Sequence, residues 1–214
     1  MQRPQQRTLG VLHAARGDEA SVEPALASLS GALVAAVAPG RALGLVPLDG
    51  DPAAVSVLLA DAGIEMAASA LRRDPAALHE ALREAELMLE LRDSPGTSVA
   101  GQEETFRLLI GVLLRDHDEL EQLRAHTISP LAVYDAEHDT ELLATLQAFL
   151  AHHGSTSETA EAMGLHRHTV GYRLARAHEV SGLSPHESDG RERLGLGLKA
   201  HQILEADHRL GQHQ

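Results

Sequence analysis

Residues 157–180 read SETAEAMGLHRHTVGYRLARAHEV, and their spacing predicts two short helices joined by a tight turn. Ser157 is suited to cap the first helix, and Ala160 with Met163 gives that helix a small apolar face. Gly164 can close the turn because glycine tolerates a positive φ. This pattern is typical of a helix-turn-helix, in which a turn of three or four residues sets the crossing of the two helices.

The second predicted helix begins near His166 and has an apolar side formed by Val170, Leu174 and Ala177. These three residues are spaced four and three apart, so they share one face and can pack on the first helix. The opposite side is basic, since residues 166–178 contain three arginines, three histidines and no carboxylate. Such a helix favours a partner that carries negative charge.

The basic side of this helix offers the groups that proteins use to read DNA. Arginine reaches guanine O6 and N7 or a phosphate, threonine touches the thymine methyl group, and tyrosine reaches phosphate. We therefore expect the helix to enter the major groove. The plainer interpretation is a helical hairpin whose basic side is only solvated. The residues expected to meet DNA are Arg167, His168, Thr169, Tyr172, Arg173 and Arg176.

Residues 165–174, LHRHTVGYRL, resemble the His-Arg-Asn-Thr-Val-x-Tyr-Arg-Leu signature of the PucR-type, or CdaR-type, bacterial transcriptional regulators. Residues 145–150, TLQAFL, are similar to that family's Thr-Leu-x-x-Tyr-Leu segment before the turn, and residues 194–204 resemble its closing apolar helix. The resemblance implies sequence-specific DNA binding by the C-terminal part. His168 stands where the family usually has Asn, so the base that is read is expected to differ. Gly171 stands where the family usually has a polar or basic residue, so a phosphate contact is expected to be lost and the helix to be weakened by about 1 kcal/mol relative to alanine.

Length and composition are typical of a protein with a real hydrophobic core. The chain has 214 residues, of which 43% are hydrophobic and 2% aromatic, enough for one large or two small domains. It has no cysteine, so no disulfide and no Cys-based zinc site is expected. No basic and apolar leader and no run of about 20 apolar residues occurs, so we expect a cytoplasmic protein that neither is secreted nor spans a membrane.

The net charge of −13 bears on how such a protein would bind DNA. Residues 1–138 carry 11 basic and 21 acidic residues, whereas residues 139–214 carry 7 basic and 10 acidic ones. Most of the excess negative charge therefore lies in the N-terminal part. Because phosphate neutralisation supplies most non-specific affinity, we expect weak non-specific binding with steep salt sensitivity. Two half-sites roughly 10 base pairs apart are then needed, which predicts a homodimer or a larger homo-oligomer.

Residues 1–100 show the order β-α-β-β-α-β-α, which predicts an α+β domain with a small, mainly antiparallel sheet backed by helices. Pro39-Gly40-Arg41 is a turn signal that makes the second and third strands a hairpin. Asp74 can cap the last helix and Pro75 suits its first position. The first six residues are expected to be unordered. The expected elements are strands at 8–13, 32–37, 42–48 and 64–69, and helices at 18–30, 52–60 and 75–91.

This element order resembles the degenerate GGDEF-like domain that precedes the DNA-binding part of PucR-type regulators. The resemblance implies the fold of diguanylate cyclases, which hold Mg²⁺ with carboxylates. Here Pro39-Gly40-Arg41 replaces the carboxylate-bearing turn, and residues 9–13, LGVLH, lack an aspartate. We therefore expect no catalysis and no cofactor, and a scaffold for dimerisation or sensing.

The C-terminal half is expected to be all-helical after a loop at residues 94–101 that has a short strand at its centre. Helices are predicted at 102–114 and 117–126. Ser129-Pro130-Leu131 is predicted to be a boundary, because Pro130 biases Ser129 away from helix. The sequence therefore divides into a GGDEF-like domain at 1–100, a helical linker at 101–138 and a helix-turn-helix domain at 139–214.

Two further helices are predicted around the recognition helix. Asp139 is expected to cap the first helix of the C-terminal domain, at residues 139–152. Gly182 and Pro185 stop the recognition helix, and Asp189 opens the terminal helix that packs behind it.

The 14 histidines do not predict a metal site. His152 and His153 are adjacent, and His166 and His168 are two apart, so neither pair shares a helix face. The chain also lacks the His-Glu-x-x-His, P-loop, Gly-x-Ser-x-Gly and Gly-x-Gly-x-x-Gly patterns.

Three classes of function are compatible with these sequence features. The leading one is a DNA-binding transcriptional regulator with double-stranded DNA as partner and room for an unidentified small-molecule effector. The second is a non-catalytic adaptor that uses the same helical hairpin on an acidic protein partner. The third, an enzyme that processes nucleotides, is disfavoured by the missing carboxylates.

Overall fold

The computed structural model describes residues 11–17, 19–27, 33–38, 41–46, 64–70, 74–94 and 96–212. Its contacts divide the chain into two compact units, residues 1–93 and residues 94–214. The sequence predicts residues 101–138 to be a linker, but the helices Glu103–Arg115 and His117–Ala125 of that segment pack against the terminal helix inside the second unit. The predicted domain boundaries at residues 100 and 138 stay predictions.

The first unit contains a four-stranded sheet, and helices pack on it. Among the described residues its elements are β1 Val11–Arg16, α1 Glu19–Ala27, β2 Leu33–Ala38, β3 Arg41–Val46, β4 Glu65–Ala68, a 3-10 turn Pro75–Ala77 and α2 Leu78–Asp93.

The strand order in this sheet is β2-β3-β1-β4, and every neighbouring pair is antiparallel. β1 and β2 therefore run in the same direction with β3 between them, which is a split βαβ arrangement. The predicted hairpin is confirmed, since Leu33 of β2 lies opposite Leu45 of β3. The core under α1 is made by the side chains of Val22 and Leu26 against the sheet, and Gly44 leaves room for Leu26.

Helix α2 buries a broader face than the predicted stripe. Ala85 and Leu89 are buried as expected, whereas Leu78 and Leu82 are only half-buried. The buried face also includes Glu84, whose carboxylate accepts a hydrogen bond from the amide of Ala70 at 2.9 Å. The helix packs against both β1 and β4, so the face that it buries is wider than a single apolar stripe.

The boundaries of the first unit follow the prediction with small shifts. β1 begins at Val11 and ends at Arg16, later than the predicted strand at 8–13, whose first residues lie outside the described ones. Asp74 accepts a hydrogen bond from the amide of Ala76 at 2.9 Å, as expected of a cap. The predicted unordered start and the predicted helix at 52–60 lie outside the described residues.

The second unit is all-helical among its described residues, so the predicted fold class is confirmed. No strand is present in the loop at residues 96–102, where a short one is predicted. The helices are α3 Glu103–Arg115, α4 His117–Ala125, α5 Ser129–His138, α6 Leu142–Ala151, α7 Thr156–Met163, α8 Arg167–Ser181 and α9 Ser188–Gln212.

Two predicted helix boundaries in this unit are wrong. The prediction makes Ser129 and Pro130 a break, but α5 begins at Ser129 with Pro130 in its first turn. Proline fits there because the first-turn amides of a helix have no intrahelical partner. The prediction also makes Asp139 the cap of the next helix, but Asp139 has a φ of 51° and ends α5, and α6 begins three residues later.

Candidate nucleic-acid interface

Helices α7 and α8 form the predicted helix-turn-helix. The Oγ of Ser155 accepts a hydrogen bond from the amide of Glu158 at 3.3 Å, so Ser155 caps α7 and the prediction of Ser157 as cap is wrong. Gly164 closes the turn with a φ of 64°, as predicted. The amide of Leu165 then donates to the carbonyl of Ala160 at 2.8 Å, which is the bond of a Schellman turn.

The inner face of α8 is fixed by two groups of buried residues. Val170 and Leu174 are fully buried against Phe149 of α6 and Ala160 of α7. Ala177 belongs to a second cluster with residues of α5, α6 and α9. Burying a side chain the size of valine or leucine contributes about 1.5–3 kcal/mol, so these contacts hold the orientation of α8 firmly.

The N-terminal end of α8 presents its side chains to solvent. His166 caps the helix, and its Nδ1 lies 3.3 Å from the amide of His168, while the two imidazole rings stack with centroids 5.1 Å apart. Arg167, His168 and Thr169 are exposed, and Tyr172 one turn later is 67% exposed. Among the described residues no carboxylate lies within 4 Å of the guanidinium of Arg167.

Arg173 is directed toward helix α6. One guanidinium nitrogen lies 2.9 Å from a carboxylate oxygen of Glu141 and donates to the hydroxyl of Thr145 at 3.3 Å. Thr145 is fully buried, and the Arg173 side chain is only 21% exposed. Arg173 therefore joins α8 to the start of α6.

Arg176 is held near the C-terminal half of α8. It donates to the carboxylate of Glu179 at 2.6 Å, and its guanidinium carbon lies 5.5 Å from the centre of the Tyr134 ring in α5. Tyr134 raises the pKa of Arg176 above its ordinary value, and the bond to Glu179 raises that pKa further. The ring of Tyr134 also stacks on His138, with centroids 4.0 Å apart.

Asp135 of α5 is the residue that caps α6. Its carboxylate accepts hydrogen bonds from the amides of Leu142 at 2.7 Å and Leu143 at 2.9 Å, and from the hydroxyl of Thr140 at 2.6 Å. The Glu141 side chain, at the N-cap position itself, makes no such bond. The capping group thus comes from the preceding helix.

All six predicted DNA-contacting residues lie on α8, but they fall into two groups. The N-terminal group is exposed and has no ion pair with any described residue, while Arg173 and Arg176 are paired with Glu141 and Glu179. The sequence gives no indication of the parts played by Tyr134, Asp135 and Glu141, because no local signature links them to residues that lie far along the chain.

Two features are absent from the described part of the chain. It contains no group of three or more histidines and carboxylates placed to hold a metal ion. Within the same residues, no helix is long and apolar enough to cross a membrane.

Comparison with known proteins identifies the family of this region. Residues 142–200 match the model of the PucR C-terminal helix-turn-helix domain. Those residues run from the start of α6 into α9, so they include the whole helix-turn-helix and the buried cluster of Phe149, Ala160, Val170 and Leu174.

Three relatives share part of the sequence. An uncharacterized protein of the pkwA 5′ region of Thermomonospora curvata is 36% identical over 40% of this chain and 47% of its own length. The purine catabolism regulatory protein of Bacillus subtilis is 34% identical over 41% of this chain and 16% of its own length. The transcriptional activator PmfR of Paenarthrobacter nicotinovorans is 38% identical over 34% of this chain and 15% of its own length.

The chain spans about half the length of the first of these relatives and about a sixth of the other two. Among solved structures, a regulator of polyketide synthase expression from Bifidobacterium adolescentis is similar, with 21% identity over 92% of this chain and 86% of that one and a TM-score of 0.38. Residues 142–200 of this chain are therefore similar to the PucR C-terminal helix-turn-helix domain.

Proposed function

We propose that this chain is a cytoplasmic, non-enzymatic regulator of transcription that binds specific double-stranded DNA by placing α8 in the major groove. One observation carries the proposal. Arg167, His168, Thr169 and Tyr172 are exposed at the N-terminal end of a helix whose Val170 is fully buried on its other side. Recognition helices contact bases with their N-terminal residues while their inner face is fixed by the domain.

The exposed residues divide by the DNA groups that they suit. Arg167 and His168 have the hydrogen-bonding groups to read base edges, and Thr169 can contact a thymine methyl group. Tyr172 can donate to a phosphate, and this contact would orient the protein without reading sequence. Arg173 and Arg176 can reach phosphates only if they exchange their carboxylate partners for them.

We extend the proposal to the first unit, as a degenerate GGDEF-like scaffold that brings two copies of the chain together. Its support is the split βαβ sheet with helices packed on it, together with the resemblance in element order. Dimerisation would supply two recognition helices for two DNA half-sites, which an acidic protein needs for useful affinity.

The alternative, an adaptor for an acidic protein, also has an observation in its favour. Arg173 and Arg176 already bind the carboxylates of Glu141 and Glu179, so the guanidinium groups of α8 can form ion pairs with acidic side chains. A protein partner with exposed carboxylates could replace them at the same surface.

The test is selection of genomic DNA fragments by the purified full chain, with the double variant Arg167→Ala and Tyr172→Ala run beside it. Arg193→Ala is the matched control, because it removes an exposed arginine from α9 and leaves α8 unchanged. An enriched repeat that the double variant loses and the control keeps would support the proposal.

Two other results would refute DNA binding. The first is no enrichment above the double variant, even at low salt. The second is capture of one acidic protein at the α8 face with no DNA enriched, which would favour the adaptor.

A further inference from the structure

A pocket of about 670 Å³ lies within the second unit, and none of its lining residues belongs to α8. It is bounded by the loop at residues 96–102, by α3, by the end of α6 and by one side of α9. Sites for small molecules commonly have volumes of about 300–1,000 Å³. The pocket is therefore large enough for a metabolite.

The lining combines an apolar surface with polar groups. Phe106, Leu150, Leu196 and Leu198 supply the apolar side chains. Apolar walls with a few placed polar groups are typical of small-molecule sites. The polar lining includes the amides of Gln102, Gln147 and Gln202.

Two cations also line the pocket, and they lie on one face of α9. Arg191, Gly195 and Lys199 are spaced four apart, so they follow one another along the helix. Arg191 and Lys199 are half-buried, and within the described part of the chain neither has a carboxylate within 4 Å. Glu192 lines the pocket too, but its carboxylate is bonded to the hydroxyl of Ser188 at 3.0 Å.

Lys199, the only lysine of the chain, is the better placed of the two cations. Its ammonium lies 5.9 Å from the centre of the Phe106 ring. Burial lowers the pKa of Lys199 because the charged form loses hydration there. A bound anion would restore a partner to this charge, and charge-assisted hydrogen bonds are the stronger ones.

We propose that this pocket binds a small organic carboxylate, with the carboxylate at the ammonium of Lys199 and an apolar body against Phe106 and Leu196. The bound molecule would contact both the loop at residues 96–102 and the helices α6 and α9 of the PucR-type domain. This site is independent of the proposed DNA contacts, since it uses no residue of α8.

The first test compares carboxylates with the matching neutral amides on the purified full chain. Octanoate and 3-phenylpropionate are titrated by calorimetry beside octanamide and 3-phenylpropanamide. We expect saturable binding of at least one carboxylate, weakened about tenfold or more in its amide. Equal binding of acid and amide would overturn the proposal, and so would no saturable binding of either acid up to about 10 mM.

The second test uses variants that change the pocket while keeping the helix. A Cβ at Gly195 meets nothing within 4 Å, so Gly195→Ala leaves space and Gly195→Leu places a side chain in the pocket. We expect Gly195→Ala to bind like the parent protein and Gly195→Leu to lose binding. The two variants should have equal midpoints of thermal unfolding. Lys199→Gln should weaken binding about fivefold or more, and unchanged affinity in it and in Gly195→Leu would overturn the proposal.

Discussion

Arg173 holds α8 onto the helix before it, through the carboxylate of Glu141 and the buried hydroxyl of Thr145. Arg167, at the start of the same helix, has no carboxylate partner in the described structure. An arginine that braces two helices contributes to the free energy of unfolding, whereas an exposed, unpaired one is available to a ligand. Removing Arg173 should therefore mainly lower the free energy of unfolding, whereas removing Arg167 should mainly affect the binding of a ligand.

We expect Arg173→Ala to lower the free energy of unfolding by about 1 kcal/mol, because it breaks a part-buried bond and an ion pair whose Glu141 end is exposed. Arg167→Ala should change the free energy of unfolding by less than about 0.5 kcal/mol. Under the proposed function it should weaken DNA binding by about 1–3 kcal/mol and relax specificity at the base pair that Arg167 reads. Urea unfolding and titration of labelled DNA at several salt concentrations measure both, and equal unfolding in the two variants would contradict this assignment.

Two glycines of the motif should respond to alanine with opposite signs. Gly164 has a φ of 64°, and alanine there costs about 1 kcal/mol although a Cβ meets no atom within 4 Å. Gly171 lies inside α8 without a positive φ, and a Cβ there is also unobstructed, so alanine should stabilise the protein by about 1 kcal/mol. Thermal unfolding of both variants tests this, and a shift of the same sign in both would refute the explanation.

At the scale of elements, the start of α6 depends on a side chain of α5. Asp135 accepts two amide hydrogen bonds from the first turn of α6, and carboxylates also interact favourably with the positive end of a helix. Because this carboxylate comes from the preceding helix, α5 and α6 should be stable together rather than separately.

We expect Asp135→Ala to destabilise the second unit by about 1–2 kcal/mol, since it leaves the first amides of α6 without their acceptor. Asp139→Gly is the matched control, because Asp139 has a φ of 51° and glycine adopts that conformation without strain. The control should be neutral or slightly stabilising. Urea unfolding followed by circular dichroism measures both variants. A larger loss of unfolding free energy in Asp139→Gly would indicate that Asp139, and not Asp135, caps α6.

Helix α9 has one side that packs closely and another that lines a pocket. A Cβ at Gly197 would overlap the hydroxyl of Thr127 and lie 2.6 Å from the Cβ of that residue. We therefore expect Gly197→Ala to cost more than about 2 kcal/mol, because an overpacked core forces helices apart. Gly195→Ala, two residues earlier, should be neutral or stabilising. Thermal unfolding compares them, and a tolerated Gly197→Ala would mean that this crossing can shift.

At the scale of the whole molecule, the charge of −13 makes non-specific DNA binding unfavourable. A regulator with this charge should need two recognition helices on one DNA. We expect tight binding to paired half-sites about 10 base pairs apart or at whole-turn multiples, and a sharp loss when the spacing changes by half a turn. Gel shifts on duplexes with graded spacing measure this, and affinity independent of spacing would contradict a dimeric binding mode.

The sequence predicted much of the architecture because its signals are local. Periodic apolar residues gave the buried face of α8, and the glycine at residue 164 gave the turn. The Pro-Gly-Arg segment gave the hairpin of β2 and β3. Such signals depend on spacing within a few residues, so they can be read without knowing what lies across the fold.

The amino-acid sequence by itself determined the helix-turn-helix, its similarity to the PucR C-terminal domain and the basic character of α8. The tertiary structure alone decided that Arg173 and Arg176 have carboxylate partners while Arg167 has none among the described residues, that Asp135 rather than Asp139 caps α6, and that Lys199 lines a pocket. The physical reason is that pairing, capping from another helix and burial depend on groups brought together only by packing. Local propensities depend on residues close in sequence, so they do not indicate which distant residues become neighbours.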